Sequence, residues 1–550
     1  MAPGLLYVTM QPQDGLSDAE FHDWYNNEHG PLRLRLPSIQ NGFRYRATDL
    51  DGPGKGLPEW VALYDVADMS ELTKAPYTTL REPGVKSERE KETMAKIAVD
   101  RRLYDLLDDQ HVEGFRPLEE LNAPVEGSVL VALSTTVHPG KEKELDRWYR
   151  EEHIPLLSKV PGWLRTRRFA SSQIEKHDEV EYLTLHEYSA NNGLGGPEWQ
   201  ASTTTPWTKE INTSVVKDKR RRAYSWYYTF GPAPRELGAL NTGSAPFVSP
   251  DGKTKTFPAS DGRRAAIESY ITTRDGVELP YRLEGAGEPD APLLVLSNSI
   301  LVEWGIWDYF LDAFFKEPQN RRYRVLRYHT RGRLRQSGAR PVTLDVLAED
   351  LVALLDALRV PQAAAVIGVS LGGATVLKTA LQYPERVAGF VSCDTNAVSP
   401  SGNRKAWGDR AAIAIQEGAS NAKGEAIVGQ ELAEATVRRW FVPGSYDNGV
   451  LHARIERVRE MIRGNSLKGF QHSVQALFDY DMQTDMKASG TRGIFVVGGG
   501  DGVLPQTMKE MASSHGRPSA LHVLEGAGHL PMVEKPAEFA EVVTRFLDGH

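Results

Sequence analysis

A serine between glycines, in G-V-S-L-G-G (Gly368–Gly373), is followed along the chain by Asp501 in V-V-G-G-G-D-G-V-L-P. His529 comes later still, in L-E-G-A-G-H-L-P-M-V-E-K-P. Serine, acid and histidine in that order are the parts of nucleophilic acyl transfer. His529 would take the Ser370 proton as Oγ attacks a carbonyl, while Asp501 holds the imidazole tautomer and stabilises the imidazolium. Asp394, just after an earlier apolar run, is the alternative acid.

These groups can meet only if the right elements carry them. Apolar stretches begin at Leu293, Tyr323, Ala363, Val387, Gly493 and Ala520, with helical patterns between them, among them Leu344–Leu358 and Leu371–Gln382. A hairpin of Ile267–Thr273 and Val277–Leu283, joined through R-D-G, precedes them. The pattern predicts a mostly parallel sheet with helices on both faces. Ser370 then sits on a sharp turn from strand to helix, where Gly368 and Gly372 must lack Cβ atoms for the two elements to pack. The helix N-terminus behind Ser370 favours negative charge developing on a bound carbonyl. Asp501 and His529 follow the next strands at the same end of the sheet.

At these residues the stretch Gly285–Leu547 resembles the 3-oxoadipate enol-lactonases of the α/β-hydrolase superfamily. The matching motifs are L-S-N-S, R-Y-H-T-R-G, L-A-E-D-L-V-A-L-L-D-A-L, C-D-T-N, A-T-V-R-R-W-F and G-A-G-H-L-P-M-V-E-K-P. The resemblance implies an oxyanion hole made by the backbone N–H groups of Leu371 and Ile300, and a helical cap over about Ala397–Asp481. Ser299, Leu301, Trp304 and Trp440 become candidates for lining the substrate pocket. The chain departs from the family in three places. Leu301 replaces a glycine beside the oxyanion segment, His329 replaces an aspartate, and R-G-R-L-R-Q-S is one residue longer than the usual R-G-H-G-x-S. The implied activity is opening of an enol lactone or activated ester through an acyl-enzyme on Ser370. The alternative is a non-hydrolytic lactone cyclase or isomerase of fungal secondary metabolism, of the vibralactone cyclase type. In that case Ile300 and Leu301 exclude water and the released enolate recaptures the acyl group. A non-catalytic binding protein is the third reading, and the ordered triad speaks against it.

The first half repeats itself. D-W-Y-N-N-E-H-G-P-L-R-L-R-L-P (Asp23–Pro37) matches R-W-Y-R-E-E-H-I-P-L-L-S-K-V-P (Arg147–Pro161), every matched pair being as far apart as Trp24 and Trp148. Each motif lies between apolar strands, beginning at Leu5 and Glu59 in one copy and at Val129 and Glu181 in the other. Helical stretches follow at Ser70–Arg81 and Glu198–Ile211, then D-R-R-L-Y-D-L-L and K-R-R-R-A-Y-S-W-Y-Y. The order β-α-β-β-α-β predicts two ferredoxin-like units packed sheet against sheet. The pattern resembles the dimeric α/β-barrel superfamily, particularly its EthD-like branch, as a tandem duplication. His29 and His153 are expected at helix ends as structural imidazolium groups; an acid/base role is the competing reading. The basic run Lys217–Arg222 is expected to be a solvated strand start. The expected domains are residues 1–115 and 116–231 as the two repeats, 232–260 as a Pro/Gly/Ser-rich linker, and 261–550 as the catalytic domain.

Composition sets the outer bounds. The 550 residues are too many for one ordinary domain. A net charge of −8 speaks against nucleic acid or an acidic membrane as partner. Cys393, the single cysteine, reads as a buried thiol and allows no intrachain disulfide. The reading therefore expects a cytoplasmic homo-oligomer acting on a small lactone or ester, with no metal and no cofactor.

Overall fold

The computed structural model describes residues 2–121, 123–333 and 337–549. The chain forms two compact units, Met1–Pro234 and Arg235–His550.

The first unit is an eight-stranded barrel of β1 (Gly4–Pro12), β2 (Ile39–Ala47), β3 (Trp60–Val66), β4 (Ile97–His111), β5 (Val129–Val137), β6 (Trp163–Ser171), β7 (Glu181–Tyr188) and β8 (Val216–Thr229). Every neighbouring pair is antiparallel, and the sheet closes in the order β1-β3-β2-β8-β5-β7-β6-β4. β1, β3 and β5 are apolar over most of their length because both faces are covered. Alternate residues Leu5, Tyr7, Val61, Leu63, Leu130 and Leu183 share one core cluster. The intervening Leu6, Ala62 and Tyr64 pack with Trp24 and Tyr25, and Val131 and Leu133 pack with Trp148 and Tyr149. Lys217–Arg222 lies within β8.

The repeated motif forms one continuous helical stretch in each copy. Its middle is a wide π-turn in which Gly30 N–H bonds to Tyr25 O, and Ile154 N–H to Tyr149 O, five residues back. His29 and His153 therefore do not end a helix. They are buried at 8 % and 6 % exposure. His29 Nδ1 lies 2.9 Å from Glu90 Oε1, and Glu90 also accepts the Trp24 indole N–H at 2.5 Å. His153 Nδ1–H donates to Ser202 O at 3.2 Å. Burial holds both imidazoles down at about 4, so neither is the expected imidazolium. The helix expected over Ser70–Arg81 breaks into Met69–Thr73 and Ala75–Thr79, with Pro76 in the first turn of the second piece. That over Glu198–Ile211 breaks before Pro206. Neither proline has an N–H to donate to a preceding turn, and Thr205, before Pro206, is held in extended backbone.

The second unit is a ten-stranded sheet of β9 (Phe247–Val248), β10 (Lys255–Phe257), β11 (Ala266–Thr272), β12 (Glu278–Gly285), β13 (Leu293–Ser297), β14 (Arg324–Tyr328), β15 (Ala365–Val369), β16 (Phe390–Cys393), β17 (Gly493–Gly498) and β18 (Leu521–Leu524). The order is β18-β17-β16-β15-β13-β14-β12-β11-β10-β9, parallel from β18 to β14 and antiparallel from β12 to β9. The stretch expected to be a linker, 232–260, is thus corrected. It holds a short helix, Gly238–Asn241, and supplies β9 and β10 at the sheet edge, with Leu237 and Leu240 buried. Two- and three-residue strands leave no period to read, and only the pairing of β9 with β10 and of β10 with β11 makes them. Between β16 and β17 the chain makes a helical cap, whose two ends are joined by the bridge Val398↔Asp481. Of the lengthened R-G-R-L-R-Q-S segment, residues 334–336 lie outside the described residues. Among the described residues no helix is long and apolar enough to cross a membrane.

Candidate active site

Ser370 occupies φ 58°, ψ −118°, a region L-residues rarely adopt, directly between β15 and the helix Leu371–Gln382. The surroundings force it there. A Cβ on Gly368 would sit 2.2 Å from Gly372 O, one on Gly372 2.2 Å from Ser297 O, and one on Gly373 2.4 Å from Cys393 O. Ser370 N–H bonds to Cys393 O at 2.9 Å, pinning the turn to the neighbouring strand. Leu371 is the first residue of the helix, where N–H groups have no intrahelical acceptor.

Asp501 and His529 come together through glycines. The loops after β17 and β18 touch backbone to backbone: a Cβ on Gly498 would lie 1.9 Å from Gly528 O, and Gly500 N–H bonds to Ala527 O at 2.8 Å. This contact places His529 Nδ1 2.6 Å from Asp501 Oδ2, a charge-assisted hydrogen bond. Asp394, 1 % exposed at φ 44°, stands behind the pair. One ligating atom each from Asp394, Asp501 and His529 falls within 4.8 Å of the others. Gly498 N–H donates to Asp394 Oδ1 at 2.9 Å. Burial, and then the Asp501 carboxylate, push Asp394 well above the usual carboxylate range. The alternative acid is therefore present at the site, and it is Asp501 that bonds to the imidazole.

The cap reaches this site through Trp440, at the end of the helix Gln430–Trp440. His529 N–H donates to Trp440 O at 2.7 Å, and the indole stacks on the imidazole with ring centroids 5.4 Å apart. Glu534, for which the sequence suggested no role, is buried and binds both sides of this junction. It accepts Gly528 N–H at 2.5 Å, Ser445 O–H at 2.6 Å and Val442 N–H at 3.2 Å. Its presence in G-H-L-P-M-V-E-K-P was the only signal, since nothing local shows which backbone it caps.

Of the other pocket candidates, Ser299, Ile300 and Leu301 are buried at 2–3 % exposure in the loop after β13. Leu301, at the position where a glycine was noted as usual, holds φ 69°. Trp304 is half-buried and stacks on His329, centroids 4.0 Å apart. Asn298 ties this loop down, donating from Nδ2 to Tyr328 O at 2.8 Å and accepting the Trp307 indole N–H at 2.8 Å. Arg331 anchors the loop after β14 through both carboxylate oxygens of Asp350 (2.7 and 2.6 Å). Cys393 is fully buried, and burial raises its thiol well above the ordinary range, so it is no nucleophile.

Comparison with known proteins follows the same half of the chain. Residues 294–542 match the Alpha/beta hydrolase family. The 3-oxoadipate enol-lactonase 2 of Acinetobacter baylyi is 29% identical over 262 residues, covering 47% of this chain and 89% of that protein. The 3-oxoadipate enol-lactonase 1 of the same organism is 26% identical over 281 residues, 50% of this chain and 96% of that protein. The crystal structure of the enol-lactonase from Burkholderia xenovorans LB400 is 26% identical, covers 51% of this chain and 99% of that one, and superposes with a TM-score of 0.44. A strand-to-helix elbow, loops brought together by glycines and a sequence match over the same span converge on one statement: the C-terminal half of this chain belongs to the alpha/beta hydrolase family, and the protein is an enzyme of hydrolase type.

Proposed function

We propose that the enzyme opens an enol lactone or activated ester through an acyl-enzyme on Ser370. The observation that carries this reading is the 2.6 Å His529–Asp501 hydrogen bond at the same sheet end as a serine held at positive φ. In the proposed reaction Ser370 Oγ attacks the carbonyl as His529 Nε2 takes its proton, and Asp501 stabilises the imidazolium. The oxyanion is received by the N–H groups of Leu371 and Ile300. The C–O bond to the enol then breaks, and His529 returns the proton to the leaving oxygen. Water, deprotonated by His529, hydrolyses the acyl-enzyme and restores Ser370. Enolate is a good leaving group, so the first step demands little of the site. The enol-lactonase names of the Acinetobacter relatives, matched over most of their length, support a lactone as substrate.

The barrel strand order supports the finer reading of the first unit as a tandem of ferredoxin-like units. β4-β1-β3-β2 and β8-β5-β7-β6 repeat one four-strand order, each with the same π-turn helix. We assign this unit a scaffold role, in a cytoplasmic homo-oligomer. Product analysis with a panel of enol lactones tests the activity. Ring-opened acid supports hydrolysis, a rearranged lactone of unchanged mass identifies the cyclase alternative, and no turnover of any lactone or activated ester overturns both.

A further inference from the structure

This inference rests on the hydrolase reading and names the chemistry its substrate carries. β14, β13 and β15 are adjacent and parallel, with Leu296 opposite Arg327 and Ser297 opposite Gly368. One or two residues past their carboxyl ends come His329, Ser299 and Ser370. The loop after β13 lies directly against the elbow, since a Cβ on Gly372 would also come within 2.6 Å of Asn298 O.

Among the described residues, three buried side chains here keep polar atoms that no protein group satisfies. They are both ring nitrogens of His329, Oγ of Ser299 and Nε of Arg333, in residues that are 6 %, 2 % and 5 % exposed. An unsatisfied buried polar atom costs about 1–3 kcal/mol, so such a cluster on two adjoining loops is expensive unless something else completes it. The cap closes over the same place. Arg333 donates to Met461 O in the helix Gly449–Arg463 at 3.0 Å, and Gly332 touches Gly469 O.

The charge at this cluster is already balanced. Arg333 donates to Glu303 Oε1 at 2.6 Å, so its guanidinium is neutralised. His329 stacks on the Trp304 indole and, among the described residues, no carboxylate bonds to it; burial, then Arg333, hold it down at about 3. An uncharged imidazole offers one N–H donor and one bare nitrogen acceptor, and a serine hydroxyl offers both roles. That set matches a hydroxyl or ketone oxygen. A carboxylate would leave the bare nitrogen lone pair unmatched and bring a second negative charge to an arginine whose charge Glu303 already offsets, though its Nε–H is free.

We infer that His329 and Ser299 form a subsite beside Ser370 that recognises an uncharged oxygen function, a hydroxyl or ketone, on the acyl chain of the substrate and disfavours a free carboxylate there. Buried hydrogen-bonding groups discriminate in this way because an analogue lacking the oxygen leaves them unpaired.

The test uses the full-length protein and three p-nitrophenyl esters: butanoate, 3-hydroxybutanoate and the mono-ester of succinate. The expected kcat/KM for 3-hydroxybutanoate is about 10-fold above butanoate, and that for the succinate ester is below it. His329→Leu and Ser299→Ala should each bring the hydroxy-to-plain ratio to near one, chiefly through KM. His329→Gln, which keeps a donor and an acceptor, should preserve most of the ratio. If His329→Leu does not fold, Ser299→Ala and His329→Gln decide. A wild-type ratio near one, a preference for the succinate ester, or a ratio unchanged in these variants overturns the subsite while leaving the hydrolase reading intact. Failure of a fluorophosphonate to label Ser370, with no ester turned over, overturns both.

Discussion

The carbonyl of Trp440 accepts the backbone N–H of His529 at 2.7 Å while the indole of the same residue covers the imidazole. The histidine is thus positioned from both sides, by Asp501 at Nδ1 and by the cap at its backbone and ring face.

Trp440→Ala removes the ring and leaves the carbonyl. Because small displacements of a catalytic group are costly, kcat should fall by roughly 10- to 100-fold, and Trp440→Phe should recover most of it. Steady-state kinetics on folded protein checks this. An unchanged kcat in Trp440→Ala would mean that the stacking does not position His529.

The two acids behind the imidazole should differ sharply. Asp501→Asn removes the acceptor of the Nδ1–H bond and should lower kcat by about 10⁴-fold. The Nδ1–H bond goes to Asp501, and burial disfavours charge on Asp394, so Asp394→Asn should cost far less. The ratio of the two kcat values is the measurement, and the opposite order would place the functional acid after β16 instead of β17.

Gly498 is where the two site loops meet. Gly498→Ala puts a Cβ 1.9 Å from Gly528 O, and the backbone cannot yield as a flexible side chain would. Thermal denaturation should show a loss of about 1–3 kcal/mol or more, together with reduced turnover in whatever folds. Gly84→Ala, a change in the first unit where φ is not positive and no atom lies within 4 Å, is the control, with unchanged turnover expected.

His153 gives the barrel a pH dependence of definite sign. Its folded-state value is about 4 because of burial, against about 6.5 in an unfolded chain. As pH falls below 6.5 the unfolded chain takes up the proton first, so stability is full above that pH and drains away toward pH 4. His29, held down to about 4 by burial, adds to the same slope. Melting temperatures across pH 7.5–4 should fall less steeply in His153→Gln than in the wild type. An equal slope would show that the ring is not the group responsible.

The elbow and the two loop positions of the site are legible in the sequence because glycines mark them. Gly368, Gly372, Gly498 and Gly528 each stand where a Cβ would strike backbone, and only glycine tolerates that. What stays hidden depends on contacts distant in the chain. The lowered values of His29 and His153 and the raised one of Asp394 come from burial, which no local pattern reports. β9 and β10 exist only by pairing onward to β11, so their Pro- and Gly-rich segment reads as a linker. Pro76 and Pro206 stand in the first turns of the helical pieces into which the expected helices break.

The most direct test is intact-mass analysis of the enzyme quenched in acid during turnover of an activated ester or enol lactone. The account predicts a mass increase of one acyl group, mapped by peptide sequencing to Ser370 and absent in Ser370→Ala, whose turnover falls on the order of 10⁴-fold or more. His529→Ala should be nearly as damaging, and the double variant little worse than either. Turnover that persists in Ser370→Ala, or an acyl group found on another residue, would contradict it.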